Sequence, residues 1–128
     1  MSYHFSKICD LSFEDAIVKV TESLKKEGFG ILTEIDVKET LKKKLDVEFR
    51  KYKILGACNP SFAYQALQEE DKVGTMLPCN VIVQERDGGK VEVSAVDPVA
   101  SMMAIENPKL AAIAEQVRTR LESVIAHL

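Results

Sequence analysis

Tryptophan is absent from this chain, and aromatic residues make up only 6% of its 128 positions. That leaves little material for the stacking platforms on which single-stranded nucleic acid is held. Histidine occurs twice, as His4 and His127 near opposite ends. Any Ser-His-Asp or Cys-His set would have to recruit one of them, and no ligand pair has zinc-finger spacing. Cysteine occurs three times, as Cys9, Cys58 and Cys79, an odd count with no disulfide-framework spacing, as expected in a reducing compartment. Glycine never falls into a phosphate-cradling pattern, so no nucleotide cofactor is expected. No apolar run approaches the ~20 residues of a membrane helix, and no secretory leader is read; the expectation is a cytoplasmic protein without a membrane partner. Charge of one sign is also missing: 17 basic residues face 20 acidic ones, for a formal net charge of -3. A dedicated nucleic-acid binder carries a basic domain or stripe, so no nucleic-acid partner is expected.

What is present is enough for a core. With 46% hydrophobic residues, the length fits one compact domain over residues 1–128. Tyr3 to Cys9 alternates as a strand. Ser12 and Asp15 then cap a helix whose apolar residues, Phe13, Ala16, Ile17, Val20 and Leu24, recur at helical spacing until Gly28. Phe29 to Asp36 returns to strand, with Ile31, Thr33 and Ile35 on one face and Leu32 and Glu34 on the other. Asp36 and Glu39 cap a shorter helix through about Leu45, striped by Val37, Leu41 and Leu45. Tyr52 to Cys58 is the next strand, and Asn59-Pro60 opens a helix with an asparagine cap and proline at its first position. Its expected buried face is Phe62, Ala63, Ala66 and Leu67.

Val81 to Val96 is the clearest hairpin. A three-residue loop, Asp87-Gly88-Gly89, sets Val83 opposite Val93, Val81 opposite Ala95 and Gln84 opposite Glu92, keeping buried and exposed sets apart. Asp97-Pro98 repeats the cap-plus-proline device for a short helix containing Met102, Met103 and Ile105. Asn107-Pro108 uses it again for the longest helix, striped from Leu110 through Leu128.

Strands and helices do not alternate strictly, so the fold class is α+β. The expected architecture is two-layer: a mostly antiparallel, curved sheet of about five strands with helices on one face. Ile82, Val96, Leu32 and Leu55 are expected on the other, partly uncovered face, as walls of a groove or a self-association surface.

Two look-alike junctions stand out, Gly56-Ala57-Cys58-Asn59-Pro60 and Leu77-Pro78-Cys79-Asn80. Each places a thiol beside an asparagine where an apolar run meets a turn. Cys58 precedes a helix N-terminus, where free N–H groups and the dipole favour thiolate; the alternative is a small residue packed at a strand end. Cys79 has the same two readings. Soft metal donors exist in Cys58, Cys79, Met76, Met102 and Met103, suited to copper(I) or zinc. With so few histidines no metal is expected, and Cys58 and Cys79 are the pair to watch. Glu34 and Lys53 are placed by alternation so that both could face one groove. No general base or nucleophile set emerges, so catalysis is not expected.

The run Ile54-Leu55-Gly56-Ala57-Cys58-Asn59-Pro60, with Ala63, Ala66-Leu67, Gly74, Leu77-Pro78-Cys79-Asn80-Val81 and Asp97-Pro98, resembles the prokaryotic family called domain of unknown function 302. The resemblance implies a fold similar to one half of the TATA-binding protein and a homodimer as the usual assembly. Carried over by motif position, the residues to watch are Cys58, Asn59, Cys79, Asn80, Asp97, Glu34 and Lys53. The leading expectation is a homodimer that holds an unidentified small molecule in a groove near the two junctions. The alternatives are thiol redox sensing or soft-metal binding through Cys58 and Cys79, and an interaction dimer without a ligand.

Overall fold

The computed structural model describes residues 2–128. Five strands form one sheet: β1 (His4–Cys9), β2 (Gly30–Asp36), β3 (Tyr52–Cys58), β4 (Cys79–Glu85) and β5 (Val91–Val96). Their spatial order is β1-β5-β4-β3-β2, and every neighbouring pair is antiparallel. Helices α1 (Phe13–Lys26) and α5 (Pro108–Ala126) supply most of the buried helical residues, with α2 (Val37–Leu45), α3 (Pro60–Glu69) and the single-turn α4 (Pro98–Ser101) around them. This is the α+β class expected from the order of elements.

The helix starts follow from their caps. Ser12 Oγ accepts from the Asp15 N–H at 3.0 Å and Asp36 Oδ1 from the Glu39 N–H at 3.0 Å. Asn59, Asp97 and Asn107 each accept from backbone N–H groups one or two residues past the proline at the first helical position. Each cap satisfies donors that a helix N-terminus otherwise leaves open. Helix α1 ends at Gly28, whose φ of 87° a side chain would strain.

Period-2 alternation decides which side of the sheet is dry. Leu55, Val81, Val83, Val93 and Ala95 point at the helices and are at most 1% exposed, meeting Val20 and Leu24 of α1 and Leu110 and Leu121 of α5. The hairpin has the register the three-residue loop requires, with Val83 opposite Val93 and Gln84 opposite Glu92. At its tip the Arg86 N–H donates to the Lys90 carbonyl.

Four details differ from the sequence pattern. Leu55 pairs with Val81 on the helix side and is fully buried, so it is no part of the uncovered face. A bulge between Ile31 and Thr33 exchanges the faces of β2: Ile31 packs on the core while Thr33 and Ile35 sit opposite. Glu34 thus pairs with Leu55 and Asp36 with Lys53, which puts Glu34 and Lys53 together on the helix side of the sheet, not over its open face. Helix α4 stops at Ser101, because Met102 and Met103 lie in the turn after it. Finally, α2 buries none of its residues and leaves Leu45 66% exposed.

Candidate functional site

The two cysteine junctions meet, but not around a polar groove. Ala57 pairs with Cys79, which brings the end of β3 against the start of β4. Cys58, Cys79, Asn59, Phe62, Met102 and Ile113 line a cavity of about 40 Å³ between the sheet end and helices α3 and α5. Its walls are almost wholly apolar. All three cysteines are free thiols, Cys79 buried and Cys58 half-buried.

Burial pushes the Cys58 thiol up, and it pushes Cys79 up to about 11, with the neighbouring Cys58 charge adding to the effect. At Cys58 burial therefore acts against the pull of the α3 N-terminus on a thiolate.

Asn59 and Asp97, both expected near a ligand, are held by the fold. The Asn59 Oδ1 accepts from the Phe62 N–H at 3.4 Å, and its Nδ2 donates to the Glu27 carbonyl at 3.4 Å. That carbonyl also accepts from Arg120 Nη1 at 3.1 Å. Asn59 therefore fastens the start of α3 to the end of α1. Asp97 is 6% exposed, accepts from the Val99 N–H at 2.9 Å, and lies 3.3 Å through Oδ2 from Arg118 Nε on α5. It joins α4 to α5.

Gly56 explains why the first junction tolerates no side chain. A Cβ there would collide with Thr33 Oγ1 and stand 2.7 Å from Pro78 Cγ. The glycine lets β2 and the Leu77–Pro78 turn close over the middle of β3.

Asn80 stands apart from the other junction residues. It pairs with Gly56 on the side of the sheet away from the helices and is exposed. There it lines a broad concavity of about 570 Å³ with Tyr52, Ile82, Gln84, Glu92 and Ser94. Ser6 and His4 close the β1 side.

Two hydrogen-bonded chains organise this open face. Ser6 Oγ and Ser94 Oγ are 2.7 Å apart across β1 and β5, and His4 Nδ1 is 2.8 Å from Ser6 Oγ. On β4, Arg50 Nε donates to Gln84 Oε1 at 3.0 Å, and Gln84 Nε2 donates to Glu92 Oε1 at 3.4 Å. Arg86 Nη1 also reaches Glu92 Oε1, at 3.5 Å. Gln84 is 6% exposed and Ser94 8%, although none of the described helices contributes to the lining of this face. The Arg50 guanidinium is further fixed by the Phe49 ring, whose centroid is 4.4 Å away, and the Tyr52 ring at 5.4 Å.

The hairpin register places Gln84 opposite Glu92 on the far face, as the sequence predicts, but Gln84 is buried there. The signal that could have marked them was their register beside Ser6 and Ser94. Arg50 lies outside any strand and gave no such signal. His4 and Ser6 form no catalytic set: among the described residues, no carboxylate is hydrogen-bonded to His4. Nor does any group of three or more His, Cys, Asp or Glu gather as a metal site among the described residues. No helix of the described chain is long and apolar enough to cross a membrane.

Comparison with known proteins gives one family and one fold. The family described as domain of unknown function DUF302 matches residues 5–128. The crystal structure of an uncharacterized conserved protein of that family from Bacillus stearothermophilus superimposes with a TM-score of 0.92. The two share 30% sequence identity, over 98% of each chain. No curated protein matches.

Proposed function

The chain belongs to the DUF302 family, and we propose that it is a binding protein whose open sheet face receives a small polar molecule with an anionic group. The observation that carries this reading is Gln84. A primary amide that is 6% exposed on a sheet face to whose lining no described helix contributes has been desolvated at a cost, which only its two partners offset. What that arrangement provides is a fixed Arg50. One N–H is spent on Gln84, and the aromatic rings of Phe49 and Tyr52 hold the plane. Arg50 is thus held beside Gln84 and Tyr52, two residues that line the concavity, with its other donors left for a carboxylate or phosphate oxygen. The arginine in the lining itself, Arg86, is paired with Glu92. Asn80, Ser6 and Ser94 add neutral donors and acceptors, His4 adds an imidazole nitrogen, and Ile82 and Val96 give apolar floor. A few fixed polar groups on an apolar floor are what a small-molecule site needs.

The ligand site thus moves from the cysteines to Asn80 and the strands beyond it. Cys58, Asn59, Cys79 and Asp97 shape the scaffold beside it, and Glu34 and Lys53 lie on the other side of the sheet. A thermal-shift panel of small carboxylates and phosphates, each beside its neutral analogue, tests the reading. An anionic member should raise the melting temperature of the native protein and leave an Arg50→Ala variant unmoved. Equal shifts for the neutral analogues, or none from any member, would contradict it.

The assembly that fits this chain is a homodimer joined along β2. That strand is an edge of the sheet, and it exposes Leu32 at 67% and Ile35 at 47%, with Leu45 of α2 at 66%. An unpaired edge carrying apolar side chains is a template for pairing with a second copy.

A further inference from the structure

The cavity between the two junctions brings together three sulfur side chains that the sequence leaves far apart. Cys58 ends β3, Cys79 begins β4, and Met102 closes α4, yet all three line the same space of about 40 Å³. The remaining lining is aliphatic, aromatic or proline, apart from Asn59, whose amide is committed to the Phe62 N–H and the Glu27 carbonyl. Met76 and Met103, the other soft donors of this region, lie outside it, 41% and 61% exposed.

From this juxtaposition we propose a second site, for a single copper(I) ion held by the sulfurs of Cys58, Cys79 and Met102. The donor set decides the metal. Two thiols and one thioether, without imidazole, carboxylate or free amide, suit a soft monovalent cation that accepts low coordination. Zinc would need a fourth ligand that the cavity does not offer, and hard cations would find no oxygen. The volume exceeds the ~10–15 Å³ that one water requires, so an ion stripped of its water has room. The apolar wall also excludes the solvent that would otherwise complete its coordination sphere.

Charge is conserved without electron transfer. Copper(I) enters as a monovalent cation, the two thiols release two protons, and the product is a bis-thiolate complex with one net negative charge. Met102 donates a neutral lone pair. The residual negative charge lies beside the start of α3, a ten-residue helix whose N-terminal dipole favours an anion.

The test is anaerobic competition between the fully reduced, full-length protein and a chromogenic copper(I) chelator. One copper(I) per chain should be withdrawn from the chelator. The apparent affinity should rise by about a hundredfold per pH unit below the thiol range, as two released protons require. Cys58→Ser, at the half-buried position, should abolish retention, and Cys79→Ala should do the same. Met102→Leu should weaken it by about tenfold, and Cys9→Ser should leave it unchanged. Circular dichroism of each variant separates loss of donors from loss of fold, and Cys58→Ser carries the test if Cys79→Ala does not fold. Copper left wholly with the chelator would overturn the proposal. So would retention by the folded Cys58→Ser variant, or zinc(II) displacing copper(I) at equal concentration.

Discussion

Asp97 and Arg118 form the contact that fixes the short helix after the hairpin to the long C-terminal helix. Asp97 Oδ1 caps α4 through the Val99 and Ala100 N–H groups, while Oδ2 lies 3.3 Å from Arg118 Nε. Oδ1 is therefore spent on the cap while Oδ2 makes an ion pair without a hydrogen bond, and the Phe5 ring lies with its centroid 5.6 Å from the guanidinium. Asp97→Ala should destabilise the protein by about 1–2 kcal/mol, chiefly through the lost cap, because Arg118 keeps Glu115 and Glu122 within 4.0 Å. Asp97→Asn keeps the cap and should cost about 1 kcal/mol, since Arg118 is partly solvated. Urea unfolding measures both; equal costs would show that the ion pair, not the cap, carries the contact.

Gly56 permits no methyl group. Gly56→Ala drives a Cβ into Thr33 Oγ1 and toward Pro78, and should cost about 1–3 kcal/mol. Adding Thr33→Ala removes the closer obstacle and should recover part of the loss. A Gly56→Ala protein as stable as the native one would mean that the two strands separate freely there.

The thiols give a pH signature. Burial raises Cys79 from 9.0 to about 11 in the folded chain. Between those values the unfolded chain loses its proton while the folded chain keeps it, so stability falls as pH rises from 9 to 11. At pH 8 the thiol is neutral in both states and nothing is lost. The stability of the native protein minus that of Cys79→Ala should shrink by about 2–3 kcal/mol across that window. A difference that stays constant would place an ordinary thiol at this position.

The β2 edge should set the oligomeric state. Leu32→Lys combined with Ile35→Lys puts like charges where two copies of β2 would pair, and sedimentation should then report a monomer. The native protein should sediment as a dimer at micromolar concentration. A native monomer would remove the edge from the account.

Much of this architecture was legible because its signals are local. The hairpin register follows from keeping Val81, Val83, Val93 and Ala95 on one face, and three helix starts follow from Asn or Asp before Pro. The bulge at Leu32 was not legible, because strict alternation through Ile31, Thr33 and Ile35 looks regular in sequence; only pairing with β3 exposes the slip. Leu55 was misplaced for a related reason: the strand before Cys58 is apolar on both faces, so alternation does not say which is dry. The site was legible least of all. Asn59 and Asp97 carry motif positions because they cap helices and bridge elements, which a motif cannot distinguish from ligand binding. Arg50 and Gln84 become neighbours only once the loop after α2 folds back along β4.

Two-dimensional NMR locates a bound ligand on this protein most directly. The anionic compound that most stabilises the protein is titrated in, and backbone amide shifts are followed by residue. The shifts should cluster on Ser6, Asn80, Ile82, Gln84 and Ser94, and vanish in Arg50→Ala. Shifts centred instead on Phe62, Ala66 and Ile113, around the sulfur-lined cavity, would contradict binding on the open face of the sheet.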